Sequence, residues 1–236
     1  MTAAALPVVE TFGPTIQGEG PYAGRLADFI RFGGCNLSCS WCDTPYSWDA
    51  SRFDLSEEIR PQTVDVLLST LSPAPGIVVL TGGEPLLQVR KPAFIELLEG
   101  LRTRGRSVHV ETNGTIVPPD RAAALIDVFV VSPKLPNARL RAEANGSNFP
   151  AGWSRVASCA EVHLKYVCNS AEDVEEAALR AKTASVPSHR TWVMPEATDV
   201  ETFLRRWPRI ADAAVRAGVN ASPRLHLLAW GDERGR

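Results

Sequence analysis

One stretch indicates both the fold and the site of this chain: Gly33-Gly34-Cys35-Asn36-Leu37-Ser38-Cys39-Ser40-Trp41-Cys42-Asp43-Thr44. Three of the 5 cysteines fall in this short segment, whereas Cys159 and Cys168 lie far along the chain and match no motif. The neighbours of the three cysteines are polar, which disfavours three unligated core thiols. Thiolates at positions i, i+4 and i+7 can instead converge on one metal centre when the loop wraps around it.

Two kinds of metal centre suit cysteines at this spacing. Structural zinc takes four Cys or His ligands, and the 4 histidines are single and distant in sequence. A [4Fe–4S] cluster with three protein thiolates keeps one iron open for a small molecule. We therefore favour the iron–sulfur cluster, with a zinc-binding interaction module as the non-enzyme alternative.

Working outward from this loop, β-rich runs alternate with helical patterns. The runs are residues 27–32, 77–80, 107–110, 128–131, 162–167 and 190–193, with 224–228 as a seventh candidate strand. The helical patterns are residues 62–71, 92–104, 120–126, 171–182 and 199–217, and Pro208 is expected to kink or split the last one.

Alternating strands and helices predict βα units with a parallel sheet. About six units are too few for a closed eight-unit barrel. The fold class is therefore α/β, an incomplete (partial) βα TIM-type barrel of about six parallel strands, with an open doubly wound sheet as the alternative. We interpret residues 135–158 as an irregular insertion and residues 1–236 as a single domain with the cluster loop at 33–48.

Polar and glycine-rich clusters follow the carboxyl ends of the predicted strands. They include Thr81-Gly82-Gly83-Glu84-Pro85, Glu111-Thr112-Asn113-Gly114-Thr115, Ser132-Pro133-Lys134 and Met194-Pro195-Glu196. In a βα barrel these ends share one face, where active sites are built. The sequence predicts that these clusters and the cysteine loop form one site.

Composition narrows the class of protein further. The chain has 236 residues, with 25 basic and 27 acidic side chains and a net charge of -2, which disfavours nucleic-acid binding. No apolar run approaches the ~18 residues that a membrane span needs, and Met1–Pro7 shows no signal-peptide pattern. We expect a cytoplasmic protein with no membrane or nucleic-acid partner.

Two motifs together resemble the radical S-adenosylmethionine (AdoMet) superfamily: Cys-x3-Cys-x2-Cys with Trp41 before its last cysteine, and the glycine-rich element Thr81-Gly82-Gly83-Glu84-Pro85. The resemblance implies a [4Fe–4S] cluster on Cys35, Cys39 and Cys42. AdoMet would bind the open iron, and an electron from the cluster would cleave it to a 5′-deoxyadenosyl radical.

The flanking segments resemble the 7-carboxy-7-deazaguanine synthase family within that superfamily. The matching segments are residues 12–20, 31–35, 42–44 with Trp48, 111–115, 132–134 and 225–235. The family is a group of radical AdoMet lyases that contract 6-carboxy-5,6,7,8-tetrahydropterin to 7-carboxy-7-deazaguanine with release of ammonia, and that need Mg²⁺. The resemblance leaves open whether the product enters queuosine or another 7-deazapurine biosynthesis. The alternatives are another radical AdoMet enzyme, namely a glycyl-radical activase or a related deazapurine-pathway enzyme.

The same resemblance implies roles for individual residues, with no catalytic residue beyond the cofactor ligands. Substrate would contact Ile16, Gln17, Gly18, Glu19, Arg31 and Thr81. AdoMet would contact Trp41, Cys42, Asp43, Gly83, Glu84, Ser132, Pro133 and Lys134, and Thr44 would bind Mg²⁺. The alternatives are a salt bridge for Arg31 and a surface carboxylate for Glu19. A flavodoxin-like electron donor and a homodimer are further family expectations.

Overall fold

One open sheet organises the protein. The computed structural model describes residues 5–73, 76–140 and 150–235, which form a nine-stranded sheet in the order β3-β1-β2-β4-β5-β6-β7-β8-β9. The strands are β1 Ala5–Ile16, β2 Leu26–Phe32, β3 Arg60–Thr63, β4 Ile77–Gly82, β5 Ser107–Thr112, β6 Val128–Val131, β7 Glu161–Cys168, β8 Thr191–Pro195 and β9 Asn220–Ala221. From β2 to β9 neighbours are parallel, and β1 is antiparallel to β2 and β3. Because β3 and β9 are edges, the sheet does not close, which confirms the partial barrel.

The helices connect these strands. They are α1 Leu55–Glu58, α2 Val64–Thr70, α3 Pro92–Thr103, α4 Asp120–Ala123, α5 Trp153–Val156, α6 Ala171–Thr183, α7 Val200–Ala217 and α8 Leu225–Trp230. Side-chain caps begin α6 and α7, since Ser170 and Asp199 accept hydrogen bonds from backbone N–H groups of the first turn. No helix within the described ranges has the length and apolar character needed to cross a membrane.

Each central strand presents alternate side chains to two different environments. On one face, residues such as Val108, Val110 and Leu164 pack with the helices in the main core. On the other face, His109, Glu111 and Lys165 point to the inside of the partial barrel. The inner face therefore holds these polar groups beside a small apolar cluster of Ala27, Phe29, Ile77 and Val79, and the helical face supplies most of the apolar burial.

Several sequence predictions need correction. The candidate strand 224–228 is wrong, because Leu225–Trp230 is a helix. The start of the predicted helix 62–71 is also wrong, since Arg60–Thr63 pairs with β1 as an edge strand. Pro208 does not split the last helix, because Val200–Ala217 is unbroken and buries Phe203 before the proline and Ile210 after it.

The strand β1 was not predicted, because Pro7, Gly13 and Pro14 interrupt its apolar pattern. Within the predicted irregular insertion, the structure shows a short 3-10 turn at Pro136–Ala138 and the helix α5. Residues 141–149 of that insertion lie outside the described ranges.

Candidate active site

A cavity of about 470 Å³ lies on the inner side of the sheet, at the ends of the parallel strands. Small-molecule sites commonly measure about 300–1,000 Å³. All predicted site residues except Glu84 and Pro133 line it, namely Ile16, Gln17, Gly18, Glu19, Arg31, Cys35, Cys39, Trp41, Cys42, Asp43, Thr44, Thr81, Gly83, Ser132 and Lys134. The fold thus brings together segments that are far apart in sequence.

The cysteine loop is fastened to the glycine-rich turn after β4. The N–H of Glu84 donates to the carbonyl oxygen of Gly34 at 2.8 Å. A Cβ on Gly83 would collide with that same carbonyl group. Gly83 is therefore needed for the close approach of two backbones, which sets the distance between the predicted cluster loop and AdoMet element.

Two of the three thiols, those of Cys35 and Cys42, receive hydrogen bonds suited to thiolate ligands. The Trp48 Nε1 donates to the Cys42 Sγ at 3.3 Å, and the Leu37 N–H donates to the Cys35 Sγ at 3.4 Å. Burial raises the pKa of the free Cys35 thiol to about 11. A bound metal centre deprotonates its thiols and replaces this penalty with coordination. Hydrogen-bond donors aimed at sulfur fit an iron–sulfur cluster.

No three His, Cys, Asp or Glu side chains in the described parts of the chain are arranged to hold a single metal ion. Ligands of one zinc ion all lie about 2.0–2.3 Å from the same atom. The thiolates of a cluster bind separate irons and stand further apart. The cysteine loop therefore fits a cluster better than a zinc knuckle.

Around the predicted AdoMet region, Lys134 lies over the Trp41 ring with its Nζ 5.2 Å from the ring centroid. The Lys134 Nζ also donates to the Ser132 Oγ at 3.0 Å. The Trp41 Nε1 donates to the Oδ1 of Asn137 at 3.3 Å. These contacts fix the indole at the cavity wall, where its face can cover an apolar or aromatic ligand group.

Glu84 lies behind the cavity wall rather than in it. Its buried carboxylate accepts hydrogen bonds from the Thr112 Oγ1 at 2.7 Å, the Asn113 N–H at 2.7 Å and the Leu86 N–H at 2.9 Å. Burial raises the pKa of this carboxyl group. In this structure Glu84 ties the end of β4 to the end of β5, so its carboxylate is already occupied by the protein.

The loop after β1 crosses the inner side of the sheet. Because β1 is antiparallel to β2, Ile16 pairs with Leu26 at the start of β2, and the next residues cross toward β5. The Gln17 Nε2 donates to the Glu111 Oε1 at 3.1 Å, and the Thr81 Oγ1 donates to the Glu111 Oε2 at 2.9 Å. Gln17, Thr81 and Glu111 therefore form one polar group facing the cavity.

Glu19 lies between two cations. Its carboxylate accepts from the Lys165 Nζ at 2.5 Å and from the Arg224 Nε at 2.7 Å. Burial alone would raise the pKa of Glu19, but the charges of Lys165 and Arg224 outweigh it and hold the pKa well below its usual range. Glu19, whose side chain is 12% exposed, is thus an ionised acceptor in the cavity wall and not a surface carboxylate.

The Arg31 guanidinium makes a hydrogen bond through its Nε, and its terminal NH₂ groups face the cavity. Its Nε donates to the Glu10 Oε1 at 2.7 Å, so the salt bridge expected as an alternative is present. Its terminal NH₂ groups have no hydrogen-bond partner among the residues the structure describes, and Arg31 lines the cavity. The fork can therefore still receive a ligand carboxylate.

Thr44 and Asp43 follow the last cluster cysteine at the cavity surface. The Thr44 Oγ1 lies 3.7 Å from the Cys42 Sγ. The Asp43 Oδ2 accepts from the Arg224 Nη2 at 2.6 Å. The hydroxyl of Thr44 is a suitable oxygen ligand for Mg²⁺, which binds few protein groups and keeps water or ligand oxygens.

Sequence reasoning missed Lys165, Arg224 and His226 as residues of this cavity, and it placed Glu111 at the site without giving it a role. Glu111 lies at the carboxyl end of β5, where the pattern of polar strand ends predicts the site. Lys165 interrupts the apolar run 162–167 at an inward position, and a lysine there indicates a buried partner. Arg224 lies in a segment that we predicted as a strand, so nothing local indicated it.

Comparison with known proteins agrees with this geometry. Residues 29–206 match the model of the Radical SAM superfamily. The 7-carboxy-7-deazaguanine synthase of Pyrobaculum aerophilum is 38% identical over 97% of this chain and 96% of its own. The enzyme of the same name from Bacillus subtilis is 34% identical over 99% of both chains.

The crystal structure of QueE from Escherichia coli has a TM-score of 0.66 and 24% identity over 94% of this chain and 95% of its own. This likeness supports the partial barrel. The family match and the nearly full-length relatives together show that the chain belongs to the radical SAM superfamily and, within it, to the 7-carboxy-7-deazaguanine synthase family.

Proposed function

We propose that the whole chain is one catalytic domain that converts 6-carboxy-5,6,7,8-tetrahydropterin to 7-carboxy-7-deazaguanine with release of ammonia. The observation that carries the proposal is one cavity in which the three thiols, the 16–19 loop, Arg31 and Thr81 meet. Relatives bearing the synthase name align over nearly the full chain, so these site segments fall within the match.

The charged and polar groups of the cavity complement such a substrate. The open side of the Arg31 fork suits its carboxylate. Gln17, Thr81 and the carboxylates of Glu19 and Glu111 offer donors and acceptors suited to the pterin edge. The Glu19 carboxylate, which Lys165 and Arg224 hold ionised, can accept N–H groups without a cost for deprotonation.

The cysteines, Trp41, Asp43, Gly83 and the 132–134 segment would hold the cluster and AdoMet. When bound, the cluster supplies the electron that splits AdoMet to a radical able to remove a substrate hydrogen. The protein's part is to place the substrate carbon beside that radical and to exclude water. Thr44 would hold Mg²⁺ near the substrate oxygens.

The test is anaerobic incubation of the reconstituted protein with AdoMet, a reductant and 6-carboxy-5,6,7,8-tetrahydropterin, with product identified by mass spectrometry. We expect 7-carboxy-7-deazaguanine and ammonia. Cleavage of AdoMet without this product would support another radical AdoMet reaction. A flavodoxin-like donor, a homodimer and a cytoplasmic location are further proposals from the family resemblance.

A further inference from the structure

Arg224 contacts three separate elements around the cavity. Its Nε donates to the Glu19 Oε1 at 2.7 Å, and its Nη2 donates to the Asp43 Oδ2 at 2.6 Å. Its Nη1 donates to the carbonyl oxygen of Ala197, which follows β8. The side chain is only 7% exposed, so the guanidinium makes its hydrogen bonds to the protein rather than to water.

The backbone around Arg224 is tied to the same surroundings. The Leu225 N–H donates to the Gly18 carbonyl at 2.9 Å, and the Ser222 Oγ accepts from the Gly20 N–H at 2.6 Å. The Ser222 N–H donates to the Val193 carbonyl of β8 at 2.8 Å. The segment that carries Arg224 is therefore anchored to the sheet on one side and to the 17–20 loop on the other.

Charge balance alone does not explain this arrangement. Glu19 already has a cation in Lys165 at 2.5 Å, and the Asp43 side chain is 41% exposed and open to water. Burying a guanidinium costs solvation, and its planar fork recovers that cost only with well-placed acceptors. The particular result of using Arg224 is that Glu19 and Asp43 share one planar donor group.

We propose that Arg224 is a positioning residue that makes binding of the pterin and binding of AdoMet interdependent. The proposal rests on the proposed function, in which Glu19 faces the pterin and Asp43 faces AdoMet. A ligand that fixes Glu19 also fixes the guanidinium and hence Asp43. When the second ligand binds, part of its site is already ordered, so it loses less entropy and binds more tightly. The effect is the same whichever ligand binds first.

The test measures the dissociation constant of AdoMet for the cluster-loaded protein with and without 6-carboxy-5,6,7,8-tetrahydropterin, by anaerobic calorimetry without reductant so that no turnover occurs. We expect the pterin to tighten AdoMet binding about fivefold or more in the wild type, the lower range of usual coupling energies. In Arg224→Gln this ratio should fall to about one. Iron content and thermal unfolding are measured beside it.

A second variant, Arg224→Lys, tests whether the charge or the geometry of Arg224 produces the coupling. It also replaces Arg224→Gln in the test if that variant folds poorly. A lysine keeps the positive charge but donates from a single nitrogen, so we expect the ratio to be lost as well. The matched control is Arg206→Gln, because Arg206 binds Glu196 beside the same cavity but contacts neither loop. Its ratio should stay at the wild-type value.

Three results would overturn the proposal alone: a wild-type ratio of one, an unchanged ratio in cluster-loaded Arg224→Gln, or full coupling in Arg224→Lys. A wild-type protein that binds AdoMet but no pterin would instead overturn the proposed function and this inference together. Whether the wild type binds the pterin therefore distinguishes failure of this inference alone from failure of the proposed function.

Discussion

The Nε of Arg31 donates a 2.7 Å hydrogen bond to the Oε1 of Glu10, its partner across the antiparallel pair of β1 and β2. This bond fixes the guanidinium plane and leaves the terminal NH₂ groups directed to the cavity. Glu10 also accepts from the Arg234 Nε at 3.0 Å, so it links the end of the chain to the candidate carboxylate site.

Glu10→Ala should weaken substrate binding more than it slows the chemical step. Without Glu10, Arg31 loses the group that orients its fork. We expect KM for the pterin to rise about tenfold, equivalent to about 1.4 kcal/mol, with kcat little changed. The measurement is steady-state kinetics at saturating AdoMet.

Glu58→Ala is the control for Glu10→Ala. Glu58 accepts from the Arg234 Nη2 at 2.9 Å and leaves the Arg31–Glu10 pair intact. We expect its KM to match that of the wild type. An equal rise of KM in both variants would show that the end of the chain, and not the orientation of Arg31, causes the effect.

Thr44→Ala should reduce Mg²⁺-dependent turnover by about tenfold or more while iron content stays unchanged. Thr44→Ser keeps the hydroxyl and should keep the Mg²⁺ response. Turnover is measured across a Mg²⁺ titration beside iron and sulfide analysis. Full activity of the alanine variant at every Mg²⁺ concentration would contradict the ligand role.

Gly83→Ala should impair assembly of the cluster. The added methyl would collide with the backbone carbonyl of Gly34, which must then move and carry the cysteine loop with it. We expect the variant to retain much less iron and sulfide than the wild type after identical reconstitution. Gly100→Ala is the control, because the atoms nearest to its methyl belong to the flexible Leu68 side chain, and neither residue lines the cavity. Normal iron content in Gly83→Ala would show that the loop tolerates the displacement.

His109 makes stability depend on pH. Burial lowers its pKa from 6.5 to about 4. In the unfolded chain His109 gains a proton below about pH 6.5, whereas in the folded protein it stays neutral until about pH 4. Folding is therefore favoured at higher pH, and this contribution is lost as pH falls through that window.

His109→Phe removes this titration and keeps an aromatic ring beside Tyr22, whose ring centroid lies 4.4 Å away. Between pH 7.5 and 5.5 the free energy of unfolding should fall by about 1 kcal/mol less in the variant than in the wild type. Denaturant unfolding at both pH values measures the difference. Parallel pH profiles would contradict the assignment.

Much of the fold could be predicted because the six central parallel strands are short apolar runs with polar or glycine-rich ends. The boundaries of 128–131 agree with the structure, and those of 77–80 and 107–110 differ by two residues at one end. The elements at the two edges of the sheet were harder to predict from sequence. Proline and glycine hide β1, and the segment at 224–228 is too short for its apolar pattern to distinguish a helix from a strand.

The sequence by itself determined the composition of the site: three cysteines in one loop, a glycine-rich turn on the next parallel strand, and polar clusters at the strand ends. These are local patterns, and the common face of a parallel barrel places them together. Only the tertiary structure decided which charges meet. Arg224 binds Glu19 and Asp43 across 205 and 181 residues of sequence. A single charged residue has no periodicity, so its partner depends on how the loop after β1 and the final helix fold over the inner side of the sheet.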